Sequence, residues 1–210
     1  MKNPIKQMYN EKTAKEIIRL CSFGLIGDNG KPKEGSMCIE NVVSYALGEK
    51  FSDAPSCVGS EIQMAKVALN DCLWTSNKAR AKGMVKLGIA QLGSNTVCQE
   101  AFKQLLKLKS TQKLLPFLIQ KHYDSLKKKD KKLLEYKRKF KSLTQLDDNL
   151  WKEFYNYDYN RYYYYHNYYH NYHYFFCKGD KFLLLVSNVI LETLIELKSP
   201  GCQYLYLVKE

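Results

Sequence analysis

Apolar positions recur at helical spacing through most of this chain, and the stretches between them are rich in turn formers. Ala14, Ile17, Ile18 and Cys21 share one face of a helix expected over residues 11–23, and Gly24 stops it. The segment GDNGKPKEG (27–35) is turn chemistry throughout. Ser36 then offers an N-cap for a stripe of Cys38, Ile39, Val42, Val43, Ala46 and Leu47, closed by Gly48. FSDAPSCVG (51–59) reads as a second loop. Ser60 and Gln63 stand at capping-box spacing before a short helix marked by Ile62, Val67, Ala68 and Leu69.

Further along, Ser76 or Thr75 caps a helix with Met84, Val85, Leu87, Ile89 and Leu92 on one broad side, and Gly93 closes it. A fifth helix over 97–108 carries Ala101, Leu105 and Leu108. Pro116 starts or kinks the next, since the residue before a proline avoids helical geometry. The pattern continues helically to residue 146, with Leu126, Leu133, Leu134 and Phe140 as its apolar points. Residues 179–201 are apolar on most of their circumference from Phe182 to Leu191, which predicts a buried helix ended by Ser199-Pro200-Gly201. QYLYLV (203–208) alternates and predicts a short extended segment at the C-terminus.

The pattern as a whole predicts a mainly α protein, a single multi-helical domain of about seven helices. Residues 1–154 form its helical body, 155–178 an insertion, and 179–210 a C-terminal helix that packs back on the body. The insertion stands out by composition. Residues 155–174 read YNYDYNRYYYYHNYYHNYHY, and all but Arg161 are Tyr, Asn, His or Asp. Those four amino acids share codons of one form: any base, then A, then a pyrimidine. A simple DNA repeat drifting at the first codon position yields this low-complexity segment without selection for chemistry. Its exposed aromatic groups also favour self-association.

Composition adds class and compartment. A hydrophobic content of 45% suffices for a packed core, which argues against wholesale disorder. No apolar run is long enough for a signal peptide or a membrane span, so the chain is expected to be soluble and cytoplasmic, with no transmembrane segment. The seven cysteines (21, 38, 57, 72, 98, 177 and 202) are odd in number and widely spaced, with no C-x-x-C pair, and read as reduced thiols.

The net charge of +12 is concentrated. Residues 121–141 hold ten Lys or Arg against three acids. Lys127, Lys128, Lys129, Lys131, Lys132, Lys137, Arg138 and Lys139 form a candidate surface for nucleic acid or an acidic protein. A solvated helix face is the plainer reading of the same run. Arginine is scarce there, and no RNA-recognition signature, zinc finger or phosphate-binding glycine loop accompanies it.

Two further constellations carry possible chemistry. Cys38 follows a Gly/Ser turn at a helix start, where unsatisfied amides favour a thiolate. Glu40, Asp53, Cys57 and Asp71 complete a candidate catalytic set around it, although no histidine stands in a recognisable base motif. His166, His170 and His173 fall at i, i+4, i+7 and would share one helical face as metal ligands. In a segment built from four residue types such spacing also arises by chance, and no cofactor is expected.

The segments GSMCIENVVSYALGEKFSDAPSCV, ALNDCLWTSNKARAKGMVKLGIAQLGS and ELKSPGCQYLYL carry an ordered set of motifs: G-x-M-C-x-E-x-x-V-x-Y-A-x-G, D-x-P-x-C, L-N-D and S-P-G-x-x-Y-L. In this the chain resembles a group of uncharacterised bacterial and phage-encoded helical proteins over residues 24–94 and 190–207. The resemblance implies one helical unit with a variable insertion and brings no function. The reading drawn from the residues is a non-enzymatic protein that works by contact with another macromolecule. The alternatives are a small thiol enzyme with Cys38 as nucleophile and a nucleic-acid-associated protein using residues 121–141.

Overall fold

The computed structural model of the chain describes residues 9–28, 30–127, 129–157 and 179–209. Among these there are eight α-helices and no β-strand. They are α1 (Glu11–Cys21), α2 (Ile39–Leu47), α3 (Ser60–Asn70), α4 (Asn77–Ala90), α5 (Gln99–Ser125), α6 (Lys131–Lys141), α7 (Asp148–Tyr157) and α8 (Asp180–Glu196). Two 3₁₀ turns, Ser94–Thr96 and Pro200–Leu207, complete the inventory. The fold is mainly α, with one more α-helix among the described residues than the pattern suggests. The metal candidates His166, His170 and His173, the tyrosine tract beyond residue 157, Lys128 and Cys177 lie outside the described residues.

The described residues fall into two compact units. One holds everything up to Lys103 together with the chain from residue 179 onward; the other runs from Gln104 to residue 157. In the first, α4 packs against α1, α2, α3, α8 and the C-terminal 3₁₀ turn. Two glycines of α4 leave room: a Cβ at Gly88 would stand 2.6 Å from Ile39 of α2, and one at Gly83 2.1 Å from the Trp74 ring. Ser187 on α8 donates to the Gly83 carbonyl, Ser199 to that of Ala90, and the Gly201 amide to that of Leu92 at 2.8 Å. Phe182, Leu183, Val186, Val189, Ile190 and Leu194 of α8 are all buried.

The second unit is built on aromatic packing. Leu115 and Ile119 of α5, Leu133, Tyr136 and Phe140 of α6, and Leu150 and Phe154 of α7 form one core. Tyr136 and Phe140 each meet Phe154 edge-on, with ring centroids 5.1 Å apart.

Several local expectations are corrected. The N-cap of α2 is Cys38 rather than Ser36; its sulfur accepts from the Asn41 amide at 3.5 Å. Gly59, not Ser60, caps α3, and the Gln63 side chain donates to the Asp53 carbonyl instead of closing a capping box. α5 runs through Pro116 to Ser125 rather than ending at 108. The basic run is not one helix to residue 146. Asp130 interrupts it by capping α6 through the Lys132 amide, while Lys129 donates to the last carbonyls of α5, those of Tyr123 and Asp124. The C-terminal segment is a 3₁₀ turn rather than extended; its start is tied to the last residue of α4 by Ser199 and to Leu92 just beyond by the Gly201 amide. α7 continues through Tyr157, so the first three residues of the tyrosine tract are helical.

Candidate functional site

Burial of Glu40 begins with its place on α2, where every residue from Ile39 to Ser44 is buried. Lys66 faces it from α3. It sits at helical spacing between Ile62 and Leu69, on the side that enters the core. Both side chains are 0% exposed, and the Lys66 ammonium donates to Glu40 Oε1. Burial pushes the Glu40 carboxyl above its ordinary value, and Lys66 offsets this only in part. Burial likewise pushes the Lys66 ammonium down, with Glu40 opposing. The Gln91 amide stands beside the carboxylate and favours its ionised form, short of a full hydrogen bond. Glu40 Oε2 receives no hydrogen bond from the protein.

Above this pair lies a cleft of about 170 Å³ lined by Asp28, Cys38, Ile39, Glu40, Asp53, Val67, Asn70 and Asp71. Its rim is held by backbone ties. Asp71 Oδ1 accepts from the Asp28 amide at 2.9 Å and from Asn70 Nδ2 at 3.0 Å. Asn70 also donates to the Ile26 carbonyl, and Asn41 Oδ1 accepts from Gly30. Asp28 holds a left-handed backbone, φ +57°, a conformation that Asp tolerates better than most residues. Arg80 of α4 donates to the carbonyls of Asn70 (2.8 Å) and Leu25 (3.0 Å), and so clamps the loop against α3.

Four of the five sequence candidates, Cys38, Glu40, Asp53 and Asp71, thus meet at one cleft. Cys57 is buried and does not line it. The expected thiolate is not supported: burial raises the Cys38 thiol, Glu40 and Asp71 add to this, and the Asn41 amide only partly offsets them. The only described histidine, His122, belongs to the other unit. Sequence reasoning missed Lys66, Asn70, Arg80 and Asp28. Lys66 left a signal, a lysine on the apolar face of a short helix. Asp28 and Arg80 left none, since loop closure alone brings them here.

The second candidate surface is the cationic face of α6. Lys131, Lys132, Arg138, Lys139 and Lys141 are exposed, with Glu135 the one exposed acid of that helix. Lys127 and Lys129 are exposed just before it, whereas Lys137 is half-buried and donates to Gln120 Oε1 at 2.6 Å. Lys132 lies 4.3 Å from the Tyr157 ring centroid, and Lys139 5.5 Å from that of Tyr136. Together with Glu135, Glu153 and Asn156 these side chains border a shallow groove of about 460 Å³. Lys139 also pairs with Glu153 at 3.7 Å. Among the described residues no group of His, Cys, Asp or Glu could hold a metal ion, and no helix is long and apolar enough to cross a membrane. None of the protein-family models, curated proteins or solved structures compared with the chain gives a significant match.

Proposed function

We propose that this protein is a non-catalytic interaction module that docks an acidic segment of another protein on the outer face of α6. One observation carries the reading. The apolar side of α6 (Leu133, Tyr136, Phe140) is fully used in its own core, while its outer side presents five cations and one acid. A charge pattern of this kind attracts an anionic partner and sets its approach more than its final affinity.

The details favour an acidic polypeptide over nucleic acid. Single-stranded nucleic acid is held by stacking on free aromatic faces. Here Tyr136 is 5% exposed and lysines lie close to the faces of Tyr136 and Tyr157. Glu135 and Glu153 within the groove would repel a continuous phosphate backbone, but they can pair with the occasional cation of a mixed acidic segment.

Fluorescence anisotropy with a labelled acidic decapeptide of eight glutamates and two lysines tests this. The peptide is expected to bind the full chain, and to weaken when salt rises from about 50 to about 200 mM. The variant K131E/K132E/R138E/K139E, altered only at exposed positions, is expected to lose binding while keeping its helical circular dichroism. Tighter binding of a single-stranded DNA of equal charge would replace the partner class. Undiminished peptide binding by the variant would remove α6 from the interaction.

A further inference from the structure

The α6 face has an internal order that its net charge conceals. Its exposed charges run Lys131-Lys132-x-x-Glu135-x-x-Arg138-Lys139, one acid with a pair of cations three and four residues away on either side. Residues three and four apart share a helical face, so the acid stands between two cationic pairs, each about 5 Å from it along the axis. Resting on the docking reading above, we infer that Glu135 receives a basic residue of the partner, and that the partner segment is a helix of the complementary order, acid-acid-x-x-base-x-x-acid-acid.

The state of Glu135 is the independent sign. A glutamate four residues before a lysine is the favoured orientation for an ion pair on a helix, and Glu135 stands so before Lys139. Yet among the described residues Glu135 makes no salt bridge. Its neighbours are drawn elsewhere. Lys139 pairs with Glu153 of α7 at 3.7 Å, and Lys132 lies 4.3 Å from the Tyr157 ring centroid. Lys137 is turned inward to Gln120 Oε1. The Glu135 carboxylate is left exposed at the middle of the face, where it borders the groove. Spacing selects the partner's conformation. On an extended chain, side chains of one face recur every 6.6 Å, roughly, which overshoots the rows of α6. A second helix repeats their spacing, because both have the same rise. The order reads the same from either end, so charge sets register and not direction. The chain has only one adjacent pair of acids, Asp147-Asp148, where the order needs two, and its net charge of +12 repels a second copy. The partner is therefore a different protein.

The test is fluorescence anisotropy on the full chain with three labelled peptides that share alanine-rich helical flanks. Their cores are EEAAKAAEE, EEAAEAAEE and AAEEKEEAA, the last a rearrangement of the first. The wild type is expected to bind the first core about threefold more tightly than the second, the size of one exposed ion pair. Net charge alone ranks these two in reverse, since the second is the more acidic. The rearranged core should bind more weakly than the first. Glu135→Lys alters an exposed group only, and it should reverse the order of the first two cores while the helical circular dichroism is kept. Wild-type affinities that follow net charge, or an order that Glu135→Lys leaves unchanged, would overturn the inference and leave the docking face standing. A rearranged core that binds as tightly as the first would overturn the helical register. Failure of all three peptides to bind would remove the docking reading together with this one.

Discussion

Two influences on the Cys38 thiol oppose each other, and their sizes decide the outcome. A helix N-terminus favours a negative charge by about 0.3–1 kcal/mol at an ordinary surface site, less than one pKa unit. Burial shifts a group by up to several units, and it prevails here. Cys38 is therefore expected to resist iodoacetamide in the native protein, as are Cys21, Cys57 and Cys72, while exposed Cys98 reacts first among the described thiols. Peptide mass mapping after timed alkylation reads this directly; rapid labelling of Cys38 near neutral pH would contradict it. The Glu40–Lys66 pair carries a second prediction. Removing one partner strands a buried charge, so Lys66→Met should cost about 3–5 kcal/mol, much of it recovered in the double variant Glu40→Leu/Lys66→Met. The loss should depend on pH. Without its cation Glu40 keeps a folded-state pKa above the ordinary 4.5, so the native state retains a proton that the unfolded chain has released. Stability is then complete below about 4.5 and drains as pH rises through the folded-state value. The gap in melting temperature between Lys66→Met and wild type should widen from pH 4.5 toward pH 8. At this scale the chemistry of the cleft was half legible. Glu40, Asp53 and Asp71 stand out in the sequence because carboxylates near loops and helix starts are visible there. Their enclosure, and the lysine beneath them, are set by packing between helices far apart in the chain.

Helix ends and helix contacts make different demands on glycine, and two glycines separate them. Gly48 ends α2 in the left-handed region, φ +72°, and no atom lies within 4 Å of where a Cβ would stand. Gly48→Ala should therefore cost only the backbone strain, about 1 kcal/mol. Gly83 has ordinary helical geometry, yet a Cβ there meets the buried ring of Trp74 at 2.1 Å. Overpacking of that kind costs about 1–3 kcal/mol, and the ring is pinned by its own hydrogen bond from Nε1 to the Leu69 carbonyl. Urea titration should rank Gly83→Ala as the more damaging, although helix propensity alone predicts the reverse. The same contrast explains which elements were readable. α1, α4 and α8 follow from apolar stripes bounded by a cap or a glycine, signals that are local. α5 runs through Pro116 against its sequence pattern because a single lost hydrogen bond and its clash, about 3 kcal/mol, weigh less than burial of Leu114, Leu115 and Ile119 on either side. The split before α6 is hidden in the sequence because Asp130 reads as one acid in a lysine run, yet its carboxylate caps the helix.

For the molecule as a whole, the division into two units has a measurable consequence. The six buried apolar side chains of α8 contribute about 1.5–3 kcal/mol each at most, a sum comparable with the entire stability of a domain. Removing residues 179–210 should therefore abolish cooperative folding of the first unit, whose central α4 loses its partner. The core of the second unit, from Leu115 to Phe154, uses no residue of that segment. The chain's two tryptophans separate these outcomes, because Trp74 lies in the first unit and Trp151 packs against the core of the second. In Trp151→Phe, where Trp74 reports, the truncated chain should show no sigmoidal urea transition and an emission maximum like that of the unfolded chain. In Trp74→Phe, where Trp151 reports, the same truncation should leave a transition in place. Loss of both transitions would mean that the second unit depends on the first to fold. Retention of both would mean that α4 finds enough burial against α1, α2 and α3 alone, and that α8 is an accessory to the core and not part of its foundation.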